Sequence, residues 1–441
     1  MVKPMEKLNI RFSDKPVTAW GGLRLMKELL DQCGLREELR RYDLPEPGSN
    51  RGYDPLQIIE SFWVSLWCGA SRFAHCGYLR YDQALQDIFE WSSAPSQSTY
   101  SRFFHKFTQA RNHAIFPSLQ QDFFQQWQLK QPLTLDLDST VVTRYGSQQG
   151  AAKGYNPQKP GRPSHHPLMA FVPEGRLVVN AWMRPGNTHD MSGFEGFMHE
   201  TLGILTGANH QVGLLRADSG FFSGNNFDFL EERGINYVVA GRFYPWLRNE
   251  IASLKKWSLH SDGIEVSEMA YQAHNWDKPR RMIVVRQAVA ERPTATGKLF
   301  DDLDPKYRYS LLVTSLDLPA AQIWQLYRGR ADAENRIKEL KYDFGADQFC
   351  LKDFWATEAA FRFMLVGYNL LALFRLAVIQ EGRQKTLQSL RFQCFAIGSW
   401  MSTHAGQRTL TMSLSRKRRP WIGRLFEETR NLSPPYTVPN A

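Results

Sequence analysis

Through the first hundred or so residues, apolar positions recur at helical spacing. "PLQIIESFWVSLWCG" shows the pattern and stops at Gly69, a residue that ends helices. In "SAPSQSTYSRFFHKF", Pro95 and Ser96 mark a new helix start. Arg102, His105 and Lys106 give that helix a polar, partly basic face. A short helix after such a turn suits a helix-turn-helix reader of DNA, and it equally suits a plain bundle with a basic face. The period then becomes two. "LTLDLDSTVVTRY" puts Leu133, Leu135 and Leu137 on one face and Thr134, Asp136, Asp138 and Thr140 on the other, which predicts a strand. A hairpin turning at Glu174–Gly175 follows, after the basic, Gly/Pro-rich connection "KGYNPQKPGRPSHH". "QVGLLRADSGF" reads as a buried strand ending at Asp218, "NNFDFLEERG" as a short helix and "INYVVAG" as another strand. From about Arg242 to Tyr307 the pattern is again strand-like, with Trp246, Trp257 and Trp276 among the turns. "YSLLVTS" is one more strand.

"LYRGRADAENRIKELKYDF" comes next, and it predicts one long helix between Pro319 and Gly345. At about 100° per residue, Tyr327, Arg330, Glu334, Lys338 and Lys341 share an arc of roughly 80°. Leu326, Ile337 and Leu340 form an adjoining apolar arc. The run "FMLVGYNLLALF" is shorter than the about 20 residues a bilayer span needs and reads as a buried helix. The tail "NLSPPYTVPNA" reads as loose.

Composition narrows the function. The formal net charge is +10 and the pI about 9.3, which favours a polyanionic partner, nucleic acid first. The five cysteines form no CxxC pair and no zinc spacing, so buried free thiols in a reduced, cytoplasmic protein are expected. No signal peptide is expected from the N-terminal stretch. Two predicted strands carry Asp138 and Asp218, and the long helix carries Glu334 among cations. Gathered carboxylates repel and need cations; Mg²⁺ uses one or two of them plus water and phosphate oxygens. Two such ions about 4 Å apart stabilise both oxygens of an in-line phosphoryl displacement. Glu334 would then hold metal while Arg330, Lys338 and Lys341 hold phosphates and Tyr327 stacks on a base or bonds a phosphate. Each carboxylate also has an ordinary explanation: a turn cap at Asp138 or Asp218, an i,i+4 ion pair at Glu334. Their order in a basic protein favours catalysis.

At these residues the chain resembles a known family. Tyr327, Arg330, Glu334 and Lys341 fit the spacing Y-x2-R-x3-E-x6-K of bacterial DDE transposases. "DLDST", "LLRADSGF" and "YRGRADAENRIKELKYDFG" together look like the insertion-sequence family numbered 1380, as do "KGYNPQKPGRPSHHPL" and "RPGNTHD". The resemblance implies an α/β fold: an RNase H-like mixed-sheet catalytic core interrupted by a β-rich insertion, with a helical N-terminal DNA-binding region. The implied division is 1–128 for the helical region, 129–241 and 309–385 for the two parts of the core, 242–308 for the insertion and 386–441 for a basic C-terminal region. Asp138, Asp218 and Glu334 would be the catalytic and metal-binding triad, with two Mg²⁺ ions for which Mn²⁺ substitutes. Asp136 offers a second carboxylate on the same strand face; Asp138 is preferred because it precedes Ser139–Thr140 as in the family motif. Tyr327, Arg330, Lys338 and Lys341 would grip DNA, joined by Lys153, Lys159 and Arg162 of the basic connection and by Arg102 and Lys106 near the N-terminus. A tryptophan of the insertion would stack on a flipped base, and Trp276 in "AHNWDKPRR" is the choice, with Trp257 second. The implied activity is cut-and-paste transposition through DNA hairpin ends, by a homodimer on paired terminal repeats, in a bacterial cytoplasm at the nucleoid, with no membrane partner. The competing classes are an RNase H-like nuclease or resolvase, a domesticated DNA-binding protein without transposition, and a carboxylate-pair glycosidase.

Overall fold

The computed structural model describes residues 9–189, 191–261, 263–288, 307–380 and 385–438. Its centre is a nine-stranded sheet in the order Ser258–Ser261, Ile264–Tyr271, Arg280–Ala288, Tyr307–Thr314, Asn236–Ala240, Val212–Ala217, Leu133–Ser139, Leu168–Val172 and Leu177–Trp182. Two neighbouring pairs are parallel: Leu133–Ser139 with Val212–Ala217, and Val212–Ala217 with Asn236–Ala240. The other pairs are antiparallel. Leu133, Leu135 and Leu137 are fully buried, as the alternation requires. Asp136 on the opposite face is fully buried too, so this strand is covered on both sides. The strand-like stretch after Arg242 does not stand apart. Its strands continue the same sheet at the edge remote from the Leu168–Trp182 hairpin, and residues 289–306 of that stretch lie outside the described residues.

The helical N-terminal region packs onto a central helix, Phe354–Leu373, which continues in π-helical turns to Ile379. The Pro55–Cys68 helix begins where the Asp54 carboxylate accepts the Leu56 N–H at 2.9 Å, and it ends at Gly69 with φ +105°. Its Trp63 indole donates to the Phe363 carbonyl at 2.7 Å and its Trp67 indole to Gly367 at 3.3 Å. Gly367 is where the two helices touch; a Cβ there would lie 2.7 Å from the Trp63 ring. The apolar run is thus part of a 26-residue helical stretch, long and apolar enough by composition to cross a membrane, yet almost entirely buried inside the molecule.

Short strands near both ends of the described residues are paired. Val17–Thr18 pairs with Ser399–His404, and Tyr436–Thr437 runs parallel to Trp127–Gln128. The C-terminal stretch expected to be loose is therefore held through Thr437: Tyr436 is buried, packs edge-on to Trp127 and donates its hydroxyl hydrogen to Cys33 Sγ. Proline-rich composition there suggested looseness, and a strand partner three hundred residues away supplies the order.

Candidate active site

Parallel register brings the two strand aspartates together. Asp136 lies opposite Arg216 and Leu137 opposite Ala217, so Asp138 and Asp218 follow at the tips of adjacent strands. Asp218 leaves its strand as the cap of a short 3-10 turn, its Oδ1 accepting the Gly220 N–H at 2.9 Å. Asp138 is 7% exposed and accepts the Ser139 N–H at 2.8 Å. Glu334 arrives on the Ala331–Tyr342 helix, which packs across the Asp138 strand; its side chain is 56% exposed. Arg330 stands between these acids. Its guanidinium is 3.1 Å from Asp138 Oδ2 and 3.7 Å from Glu334 Oε1. Burial, followed by the charges of Asp218 and Glu334, pushes the Asp138 carboxyl up to about 7 against the pull of Arg330. The three carboxylates therefore share one electrostatic site.

The cationic and aromatic residues expected beside them divide into two groups. Tyr327 is half-buried, stacks on Trp324 with ring centres 6.3 Å apart, and has its phenol pKa raised by burial and, against the pull of Arg330, by the same three acids. Lys341 donates to the Val141 carbonyl at 2.9 Å, and burial lowers its pKa. Lys338 is exposed on the same helix. Lys153 is exposed on a small three-stranded sheet, Val142–Thr143, Pro163–His165 and Ala152–Lys153, whose first strand follows closely after Asp138, and Lys159 and Arg162 are exposed on the connection between its last two strands. Arg102 is exposed on the Gln97–Phe104 helix, whereas the Lys106 ammonium is tied to the Glu46 carbonyl.

The expected single helix is two. Ala320–Arg328 and Ala331–Tyr342 meet at Gly329–Arg330, where Arg330 N–H bonds to Tyr327 rather than continuing the i→i−4 ladder. Arg216 causes the break. Its guanidinium grips both oxygens of Asp136, at 2.6 and 2.8 Å, and donates its remaining Nη1 to the Leu326 carbonyl at 2.7 Å. That carbonyl is the one Arg330 would otherwise use. A Cβ on Gly329 would lie 2.4 Å from Nη1, so only glycine leaves room. Arg216 and Asp136 were not singled out together from the sequence. The signal was present as D-x-D and R-x-D on two strands, but it speaks only once those strands are known to be parallel neighbours in that register.

Trp276 does not present a stacking face. It is 5% exposed, with Phe222, Phe227 and Tyr271 at ring distances of 5.3–5.5 Å and the Arg280 guanidinium 5.2 Å from its ring. A polar, turn-like sequence around it suggested exposure, but Gly224 packs against the indole and completes a core pocket. Trp257 is half-buried with the Arg286 guanidinium 4.0 Å from its ring. Of the three, Trp246 is the exposed one, at 56%, stacked face to face on Tyr244 at 4.5 Å.

Among the described residues no three acidic, histidine or cysteine side chains already stand at metal-cage distance. The donors at the site are all oxygens, and Mg²⁺ needs only one or two carboxylates from a protein. The family described as "Transposase DDE domain group 1" matches residues 2–434. No curated protein matches the chain. Among solved structures the chain is similar to a cryo-EM structure of the piggyBac transposase synaptic complex with hairpin DNA, at a TM-score of 0.45 and 11% identity, over 86% of this chain and 81% of that one.

Proposed function

Since this chain belongs to the DDE transposase domain family, group 1, we propose that it binds the terminal inverted repeats of an insertion sequence and moves that element by metal-dependent phosphoryl transfer. The observation that carries the reading is the meeting of Asp138 and Asp218, at the tips of adjacent parallel strands, with Glu334 of a packed helix. The five strands from Leu177–Trp182 across to Asn236–Ala240, with their central parallel pairs, support an RNase H-like core. Within this reading Asp138, Asp218 and Glu334 hold divalent metal, Mg²⁺ or Mn²⁺. The elevated Asp138 carboxyl supports it, because a group that is costly to ionise alone is one that a dication would favour. When bound, such ions stabilise the attacking and leaving oxygens at the scissile phosphate.

The protein's own part is positioning. Arg330 lies between Asp138 and Glu334 with one terminal nitrogen toward each, so a scissile phosphate brought to the site would share this guanidinium with them. Lys341, fixed on the Val141 carbonyl, and Tyr327 flank the carboxylates and bind the DNA backbone on either side. Lys338, Lys153, Lys159 and Arg162 extend the cationic track. Hairpin ends and a homodimer acting on paired ends belong to the same proposal. A nuclease without strand transfer is the second reading, and the same triad would serve it.

The test uses duplexes carrying the element's own terminal repeats with Mg²⁺. Wild-type protein cuts at the element end and joins the freed end to target DNA. Asp138→Asn, Asp218→Asn and Glu334→Gln each lose cutting by at least a hundredfold while binding the ends within a few-fold. Cutting without joining would favour the nuclease; full cutting by any variant would remove that residue from the triad.

A further inference from the structure

Two arginines meet the acids of the candidate site, and the fold holds them in different ways. Arg216 is fully engaged. Its Nε and Nη2 donate to the two oxygens of Asp136 at 2.6 and 2.8 Å, and its Nη1 donates to the Leu326 carbonyl at 2.7 Å. Arg330 is just as buried but much less engaged. Its terminal nitrogens lie 3.1 Å from Asp138 Oδ2 and 3.7 Å from Glu334 Oε1. Its Nε is buried and has no hydrogen-bond partner among the described residues. Burial opposes the charge of this guanidinium, and Asp138, Tyr327, Asp218 and Asp136 together more than restore it. Arg216 is therefore a fixed brace, whereas Arg330 is held in place chiefly by the field of the acids around it.

That difference bears on what the acids can take up. Asp136 is already neutralised by Arg216, which leaves Arg330 as the cation paired with Asp138 and Glu334. Oδ1 of Asp138 accepts the Ser139 N–H at 2.8 Å, and Oδ2 faces Arg330. A dication taken up by these carboxylates and a guanidinium this close to them repel each other, and burial leaves little water to screen the repulsion. A phosphate offers Arg330 what its present place does not: an anion that both arms of the fork can grip, with acceptors to spare for an unpaired N–H.

We propose that Arg330 is a tethered counter-cation of the carboxylates in the free protein, and that a DNA phosphate draws it away and so opens the carboxylates to divalent metal. DNA and metal then bind cooperatively, each raising the affinity for the other by the same factor. The inference rests on the metal-dependent reading of the triad and adds to it an order of assembly set by one side chain.

The test reads Mn²⁺ binding to the full chain by electron paramagnetic resonance, with no turnover required. Without DNA, Arg330→Gln binds Mn²⁺ about 5- to 150-fold more tightly than wild type, the usual span of a coupling between two sites. Arg330→Lys keeps a cation in place and stays near the wild-type affinity. A saturating random-sequence duplex, with the Mn²⁺ bound by duplex alone subtracted, tightens Mn²⁺ binding to the wild-type chain and tightens it less in Arg330→Gln. An Arg330→Gln chain that binds Mn²⁺ no more tightly than wild type overturns the exchange. A duplex that leaves the wild-type affinity unchanged overturns it too, and that arm decides the matter even if Arg330→Gln fails to fold. In either case, Mn²⁺ binding that Asp138→Asn removes leaves the metal reading standing. Mn²⁺ binding that is absent from every chain, or indifferent to Asp138→Asn, defeats the metal reading and the exchange with it.

Discussion

Asp136 and Asp138 are two residues apart on one strand face, and their surroundings give them different work. Both oxygens of Asp136 are taken by Arg216, whereas Asp138 faces Asp218 and Arg330 at the strand tip. Asp136→Asn should therefore act on stability first. Breaking a buried pair by removing one partner costs about 3–5 kcal/mol, which urea denaturation would register. Asp138→Asn should act in the opposite sense. The folded carboxyl titrates at about 7 against an ordinary value of 3.8, so the wild-type fold loses stability as pH rises through that window. With metal chelated, the Asn variant should match wild type near pH 4 and exceed it at pH 8 by a few kcal/mol. Thermal melts at the two pH values decide this, and parallel curves would mean the carboxyl is ionised throughout. Alternation placed both aspartates on one face, but it could not say which one a distant arginine occupies.

The break at Gly329 shows what periodicity reaches and what it misses. The polar arc of Tyr327, Arg330, Glu334 and Lys341 was legible because it needs only the helix repeat. The kink inside it was not, because its cause is a guanidinium from a strand 110 residues earlier taking the Leu326 carbonyl. Gly329→Ala separates local from long-range causes. Gly329 has ordinary helical angles, φ −58° and ψ −23°, so propensity alone makes alanine stabilising by about 1 kcal/mol. The clash with Arg216 predicts the reverse: a loss of about 1–3 kcal/mol, and DNA cutting reduced more than DNA binding, as Arg330 and Glu334 are re-aimed. A stabilised, fully active variant would show that the brace is dispensable. Element identities along the sheet were legible from the change to a period of two and the strand-like runs that follow it. The attachment of the Ser258–Ala288 strands to the central sheet was not, since strand order is set by contacts that alternation does not encode.

Across the molecule, the N-terminal helices are bound to the core too closely to be a detachable module. Trp63 and Trp67 are buried with their indoles bonded to the central helix. A fragment 129–441 would expose the Phe363–Phe374 surface, and it should be insoluble or lack cooperative unfolding in calorimetry; a sharp transition would establish independent folding. Charge and composition pointed to DNA, and they contain nothing about this interlocking. The strand Val17–Thr18 has its partner at Ser399–Trp400, and Trp127–Gln128 waits for Tyr436–Thr437. On a ribosome adding about 5–20 residues per second, Val17 emerges roughly 20–80 s before Trp400. For that interval each nascent copy carries an apolar core whose edge strands still lack their partners. A chain stopped before Tyr436 would leave Trp127–Gln128 without its strand partner, so the last stretch to be made is the one that closes this edge of the fold.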